Sequence, residues 1–428
     1  ALAPEAAYRC AKDWIQVLGG IGFTWEHDAH IYLKRAAADR LLLGGPTPWR
    51  AHAARLALAG VRRDRGVELP PESEGHRRQV RAFLDDLRSY DKAEWNRRIG
   101  ESGYLVPHWP APWGRDASPL EQLVVDEEFE LARVRRPHLA VGAWALPTII
   151  VHGSPKQQQR FVRPTLRGEM TWCQMFSEPG AGSDLASLST KATRVEGGWL
   201  LDGQKVWTSM AHVADWGICL ARTDPAALRH EGIGCFLVDV RTEGIEVRPL
   251  RELTGAEMFN EVFLSGVFVP DDCVVGEPTA GWAAARTTLA NERVSMGRGS
   301  SMGPGVEALL ALAADRIAEP MVLDTLGSVV AGTQSLAAMG LRTTLRALGG
   351  AAPGPEASIR KLLGVELDQY VQEVGLDLLG PSAAAGEGDA ARWIGGFLGN
   401  RSLSIAGGTS EIQRNVIAER LLGLPRDP

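Results

Sequence analysis

The sequence predicts an α+β protein in three parts: helices, then a sheet domain, then helices again. Two observations predict this order. Between residues 169 and 281 the chain breaks into short runs rich in Val, Ile, Trp and Phe separated by turns, as in MTWCQMFSEP, GWLLDGQKVWTS and EVFLSGVFVP. On either side, apolar residues recur at helical spacing, as in HRRQVRAFLDDLRSY. The 428 residues suffice for about two or three domains. A chain of that size can bury a core without a disulfide or a metal staple.

Taken in order, residues 1–60 read as helical from Pro4 to about Leu58, with a break at LLLGGPTPW. Residues 61–75 are polar, contain Pro70-Pro71 and predict a linker. Residues 76–168 form a first helical domain, in which Ser118 caps SPLEQLVVDEEFELARV and the Pro- and Trp-rich LVPHWPAPWG is a loop. Residues 169–281 form an antiparallel β domain. Residues 282–428 are helical again, interrupted near 349–355 and 380–387.

Composition narrows the functions. The net charge of −6, with no long basic block, argues against nucleic acid as the main partner. Five scattered cysteines (Cys10, Cys173, Cys219, Cys235 and Cys273) form no CxxC pair, which predicts a reduced, cytoplasmic chain and no thiolate metal site. No apolar run reaches the roughly 18 residues of a membrane span, and the start does not read as a signal peptide. The first residue is Ala1, so the expectation is a remainder of a longer chain.

Three stretches carry chemistry. SEPGAGSD (177–184) follows an apolar strand, lacks GxGxxG spacing and is not set among alternating helices, so it is not a dinucleotide fingerprint. It is either a plain turn or a loop where Gly180 and Gly182 let the backbone approach a flat or anionic ligand, with Ser177 and Ser183 as hydroxyl donors. KVWTSMAHVADW places the Trp207 indole and two hydroxyls at the end of a strand, either as core or as a ligand face. In IAGGTSEIQRNVIAERLLGLPR, Gly407-Gly408 permits close backbone approach, and Ser410 with Gln413 fits a capping box. Glu411 in that first turn is explained by helix electrostatics and is discounted as a catalytic acid.

Together these three stretches resemble the acyl-CoA dehydrogenase family over roughly residues 75–428. SEPGAGSD resembles the family's TEPGAGSD, KVWTS its strand with a flavin-stacking Trp, and GGTSEIQRNVIAERLLGLPR its C-terminal helix. The resemblance implies FAD between the domains, a C-terminal four-helix bundle and α,β-dehydrogenation of an acyl-CoA thioester. It also implies electron delivery to an electron-transferring flavoprotein. By position, Ser177 resembles the hydroxyl on the flavin ring, Gly182 and Ser183 the loop beside pyrophosphate and CoA, Trp207 and Ser209 the residues beside the ring, and Thr409 and Glu411 the segment near the adenosine. No metal is implied.

Such a reaction needs a base in a dry pocket to remove the α-proton while hydride leaves the β-carbon. Many family members carry it as Glu in Y-E-G-T; this chain reads A-G-G-T, with Gly407 in its place. A second branch places the Glu on the first helix after the β domain, and here TTLANERVSMGRG supplies Glu292. Ala285, Leu289, Glu292 and Met296 are spaced 4, 3 and 4, which puts Glu292 on the apolar stripe. The alternatives are catalysis, an ion pair with Arg293 or Arg298, or an exposed stripe. Arg293 matches a family arginine that contacts CoA, and the Gly407 N–H can still polarise the thioester carbonyl, as the family's residue there does.

Family members also carry ERxxFG and Q-x-x-GG-x-G motifs that reach a neighbour's FAD. The first is absent from LAADRIAEPMVLDTLGS, and the second is degraded to EVGLDLLGPSAA. An intact version stands at the other end of the chain, where Gln16, Gly19, Gly20 and Gly22 match it. This reads as an internal repeat, one version at 16–22 and a decayed one near 372–380. Residues 1–60 are then expected to be the tail of an upstream dehydrogenase copy, and the whole resembles fused pairs of actinobacterial steroid or branched side-chain breakdown. The expected partners are an acyl-CoA, an electron-transferring flavoprotein, and a partner copy or homodimer. The alternatives are an inactive scaffold half, or an acyl-CoA oxidase using oxygen.

Overall fold

The computed structural model describes the chain apart from residues 63–68, 297–302, 350–353 and 427–428, and apart from the side chains of 293–296. It opens with α1 (Ala3–Leu18) and α2 (Ala29–Leu42), antiparallel across the turn at Gly19–Phe23 and joined by the Glu5–Arg40 ion pair. These two helices pack chiefly on each other. The next helix, α3 (Thr47–Leu58), buries Ala54 and Ala57 elsewhere, in the C-terminal domain.

A helical layer follows: α4 (Ser73–Arg88), α5 (Lys92–Ser102), α6 (Pro119–Leu131), α7 (Gly142–His152) and α8 (Pro155–Leu166). Ser118 caps α6 in a full capping box with Glu121, as its sequence predicts. Arg77 and Arg81 on α4 converge on the buried Glu128 carboxylate of α6, at 2.7–2.9 Å, and hold it below the ordinary carboxylate range.

The sheet domain comprises β1 (Trp172–Met175), β2 (Lys191–Val195), β3 (Gly198–Ser209), β4 (Trp216–Arg222), β5 (Ile233–Asp239), β6 (Ile245–Leu250) and β7 (Phe259–Pro270). The expected antiparallel domain is in fact mixed: β1 pairs with β4 in parallel, in the order β1-β4-β2-β3-β7-β6 with β5 beside β4. The β2–β3 hairpin supplies the long connection that a parallel pair requires. β2, KATRV, was missed by the sequence reading because most of its residues are exposed and only Ala192 is buried. One continuous core joins this sheet to the helical layer, with Leu84, Leu146 and Phe161 against Met175, Ile218 and Phe236.

The C-terminal domain holds α9 (Gly281–Met296), α10 (Val306–Leu312), α11 (Pro320–Leu348), α12 (Glu356–Leu379), α13 (Asp389–Gly399) and α14 (Ser410–Val416). α9 packs on α7 and β5, so it belongs to the face of the sheet domain as much as to the bundle. α11 packs against α12 and against α3, and Arg50 pairs with Asp324 at 3.3 Å. The crossing is close: a Cβ on Gly327 would lie 1.9 Å from the Arg50 carbonyl oxygen, so only glycine fits there. A second core, with Leu309, Leu326, Val371 and Trp393, therefore includes residues from both ends of the chain.

Candidate functional site between the sheet and helix α9

The site is built on the end of β1. After Met175 the chain buries Phe176 and turns tightly, with Glu178 N–H donating to Ala181 O and Ala181 N–H to Glu178 O. Glu178 is buried and accepts from Lys205 Nζ (2.8 Å), Ser189 N (2.7 Å), Ser189 Oγ (2.8 Å) and Thr190 N (2.9 Å). Burial alone would raise its pKa, but the Lys205 ammonium and these donors overcome that and hold it at about 2. Lys205 is itself fully buried and also donates to Phe176 O. The pair therefore pins the start of the SEPGAGSD loop, while Gly182 and Ser183 beyond it stand exposed.

Lys205 sits one residue before a bulge in β3, where the register with β7 shifts between Lys205 and Thr208. Val206 N–H donates to Ser177 O at 2.9 Å, so the loop and the bulge lie side by side. At the bulge Trp207 takes a left-handed backbone (φ 59°) that bulky residues rarely adopt. Its indole is 62% exposed, edge-on to Phe259. Trp207 is therefore not core, which settles that alternative. Ser209, two residues on, is half-buried.

Across from β1, Glu292 lies on the inner side of α9 below the fully buried Ala285 and the half-buried Leu289. Gln174 Nε2 of β1 donates to Glu292 Oε2 at 3.2 Å. Helix α9 is fixed to α7 by two further polar contacts, Thr148 Oγ1 to Thr288 Oγ1 (2.7 Å, both buried) and His152 Nε2 to Thr287 Oγ1 (2.8 Å). Arg293 lies in α9 with its side chain outside the described residues. The structure thus ties Ser177 to the β3 bulge beside Trp207 through the Val206 N–H, and ties Glu292 to β1 through Gln174, three residues before Ser177.

The other predicted residues stand elsewhere. Gly407 (φ 65°) and Gly408 (φ 94°) form a turn whose carbonyls are held by Gln413 Nε2 at 2.9 and 3.3 Å and, for Gly408, by Lys361 Nζ at 2.8 Å. Burial pulls the Lys361 ammonium below its usual pKa. The expected Ser410–Gln413 capping box is corrected: Thr409 is the cap, its hydroxyl accepting from Ile412 N, and Gln413 turns back to the glycine carbonyls. Glu411 is exposed and pairs with Arg414, in keeping with an electrostatic role. This turn rests on α12, which also touches α9. Gln16, Gly19 and Gly20 are exposed on the α1–α2 turn, a third location.

Two glycine turns share one backbone geometry. Gly19 ends α1 with φ/ψ 62°/−138° and opens a short 3₁₀ turn; Gly380 ends α12 with 58°/−138° and does the same. Aligned on those glycines, Gln16 falls opposite Asp377, Gly20 opposite Pro381 and Gly22 opposite Ala383, all within the stretch EVGLDLLGPSAA.

Sequence reasoning missed Gln174, Lys205, Glu178 and Lys361. For Gln174 the available signal was a lone polar residue within an apolar strand, WCQMF; Lys205 follows Gln204, Glu178 lies in the glycine loop and Lys361 in a helix, where that signal is missing. The buried cysteines offer no nucleophile, since burial raises their thiol pKa values, that of Cys219 to about 11. Among the described residues, no group of three or more metal-ligating side chains comes together. A hollow of about 490 Å³ at Pro112, Trp113 and Arg163 contains none of the predicted site residues. No described helix is long and apolar enough to cross a membrane.

The fold defines a helix–sheet–helix protein in which a carboxylate on α9 is bonded to the strand that leads into a glycine loop, and that loop lies beside a bulge carrying an exposed indole. Models of the acyl-CoA dehydrogenase N-terminal, middle and C-terminal domains match residues 71–169, 173–267 and 279–422. Acyl-CoA dehydrogenase IpdE1 of Mycobacterium tuberculosis is 36% identical over 79% of this chain and 89% of its own length. The chain belongs to the acyl-CoA dehydrogenase family. Acyl-CoA dehydrogenase FadE34 of M. tuberculosis is 52% identical over 99% of this chain, which spans 59% of that relative's length. Among solved structures, the Tcur3481-Tcur3483 steroid ACAD is 28% identical with a TM-score of 0.67, covering 84% of this chain and 99% of that one. The ChsE4-ChsE5 complex from M. tuberculosis has the same identity and TM-score, with 85% and 100% covered.

Proposed function

We propose that the chain catalyses α,β-dehydrogenation of an acyl-CoA thioester with FAD, and that Glu292 is the base. The observation that carries this reading is the Glu292 carboxylate on the inner side of α9, bonded to Gln174 three residues before Ser177. The residues present fit a flavin: Trp207 offers an uncovered aromatic face, Ser177 and Ser209 flank it, and a Cβ at Gly180 or Gly182 would meet nothing, so the loop is open to a ligand. When bound, FAD supplies the acceptor for the hydride that leaves the β-carbon.

In this reading Trp207 covers the ring system, Ser177 and Ser209 offer hydroxyls to its polar edge, and Gly182 and Ser183 border the phosphates and CoA. Glu292 takes the α-proton on a carboxylate oxygen. The Gly407 N–H polarises the thioester carbonyl, and because that role needs no side chain, A-G-G-T can serve in place of Y-E-G-T. Arg293 contacts CoA. Thr409 and Glu411 border the adenosine of the cofactor. A bulky branched or steroid acyl group is supported by the likeness to a structure named as a steroid ACAD. Electrons pass to an electron-transferring flavoprotein in the cytoplasm.

The α1–α2 hairpin is read as the end of a second dehydrogenase copy. The matching glycine geometry at Gly19 and Gly380, and the longer FadE34, support this. Gln16, Gly19 and Gly20 then complete a neighbouring copy's cofactor site.

The test is anaerobic titration of the flavin-bound protein with straight, branched and steroid acyl-CoAs. Bleaching by one of them is expected, and Glu292→Gln should slow it at least about 100-fold, the usual contribution of a general base. Unchanged bleaching in Glu292→Gln would sink the assignment of the base. Stoichiometric peroxide formation in air, with no reduction of electron-transferring flavoprotein, would make it an oxidase.

A further inference from the structure

We infer that Gln174 is a positioning residue for the Glu292 carboxylate; this rests on the reading of Glu292 as the base. Gln174 stands on β1 between the fully buried Cys173 and Met175. Its amide N–H₂ faces Glu292 Oε2 at 3.2 Å. The amide orientation follows from the partner, since a carboxylate accepts and does not donate. The opposite end, Oε1, is buried and has no hydrogen-bond partner.

Its partner, not the empty acceptor, separates Gln174 from a structural glutamine: the fully buried Gln372 also leaves its Oε1 unpaired but donates to a backbone carbonyl, Pro304 O, whereas Gln174 donates to a carboxylate. Gln157, also buried, is satisfied at both ends: its Nε2 donates to Asp272 O and Val274 O, and its Oε1 accepts from Ser154 N. Buried polar groups kept for the fold are normally paired in this way. Gln174 instead has one described partner, the carboxylate, and leaves an acceptor unused. Nothing at its Oε1 end dictates where the side chain sits. Its placement is set by Glu292 at one end and by β1 at the other.

The consequence is mechanical. A Glu side chain on a helix has three freely rotating bonds, and a base must meet the α-proton at hydrogen-bond range. Threonine pairs fix the α9 backbone one turn earlier, at Thr287 and Thr288. Gln174 fixes the carboxylate itself, and it does so from the strand that leads into Ser177 and the glycine loop. The base and the ligand loop are thereby referred to the same strand.

The test compares flavin-bound wild type with Gln174→Met, Gln174→His and Glu292→Gln. Methionine keeps the length and loses the donor; histidine restores an N–H. Butyryl-, isobutyryl- and cholestenoyl-CoA are the probes in anaerobic stopped flow, with crystal structures of the flavin-bound wild type and Gln174→Met alongside. The expected result is unchanged FAD content and flavin spectrum in Gln174→Met, KM within about threefold, and a maximal bleaching rate lowered about 10- to 100-fold, the scale of a misplaced reacting group. Gln174→His should recover most of that loss, and the Glu292 carboxylate should be displaced in the Met crystal. The inference is overturned if Gln174→Met bleaches at the wild-type rate while Glu292→Gln does not, which leaves the base reading intact. If Glu292→Gln also bleaches normally, both fall. If no probe bleaches the flavin, the crystals decide: a carboxylate in the same place with and without the Gln174 donor rejects the positioning role.

Discussion

At the scale of single residues, Glu178 is held by four donors, one of them a buried ammonium, and its pKa sits at about 2 against an ordinary 4.5. A carboxyl depressed in the folded state stabilises the protein fully above its unfolded pKa and loses that contribution as pH falls through the folded one. The stability attributable to Glu178 should therefore be complete above about pH 4.5 and vanish towards pH 2. Urea unfolding across that window checks it, because Glu178→Gln should flatten the acid limb of the curve. At neutral pH the same substitution strands Lys205, which is fully buried, and should cost about 3–5 kcal/mol. A loss below about 1 kcal/mol would mean that water reaches the pair. Because the pair anchors the turn that begins SEPGAGSD, loss of bound flavin should accompany loss of stability.

At the scale of elements, two helices are fixed by contacts that periodicity does not display. Helix α9 is an ordinary amphipathic segment in the sequence, yet it is held to α7 by hydroxyl and imidazole contacts and to β1 by Gln174. Helix α3 falls within residues 1–60, expected to be the tail of an upstream copy, and packs its Ala54 and Ala57 into the C-terminal bundle of this chain. The α3–α11 crossing depends on Gly327. Helix propensity alone favours Gly327→Ala by about 1 kcal/mol. The Cβ would lie 1.9 Å from Arg50 O, a backbone atom that cannot move without moving α3. The steric term should win, with a net loss of about 1–3 kcal/mol as in other overpacked sites. A chemical-denaturation midpoint that rises in Gly327→Ala would show that the two helices are not in this contact in solution.

At the scale of the whole molecule, apolar surface is concentrated on the α1–α2 hairpin. Phe23 is 89% and Trp25 81% exposed, with Val17, Ile21, Leu41 and Leu42 nearby in sequence. Scattered surface apolars are normal, but a run of this kind marks a surface that another body covers. The double substitution Phe23→Ser, Trp25→Ser should leave unfolding free energy within about 0.5 kcal/mol, as surface changes do. It should also shift sedimentation towards the monomer wherever the chain self-associates. A large loss of stability instead would place these rings against the chain's own core.

The sequence alone determined the order helices–sheet–helices, the capped start of α6, the loop of LVPHWPAPWG and the positions of the three family stretches. It did so because these depend on local periodicity, capping chemistry and turn residues, which are written within a few residues of one another. It also placed Glu292 on the inner stripe of α9, a consequence of 4, 3, 4 spacing. Only the tertiary structure decided the rest. The mixed sheet, the weakly patterned β2 and the allocation of α3 to the far end of the chain all follow from contacts between segments distant in sequence. So do the Glu178–Lys205 pair and the Gln174–Glu292 hydrogen bond. A polar residue inside an apolar run announces that it needs a partner, but which partner depends on where the chain returns, and no local pattern records that.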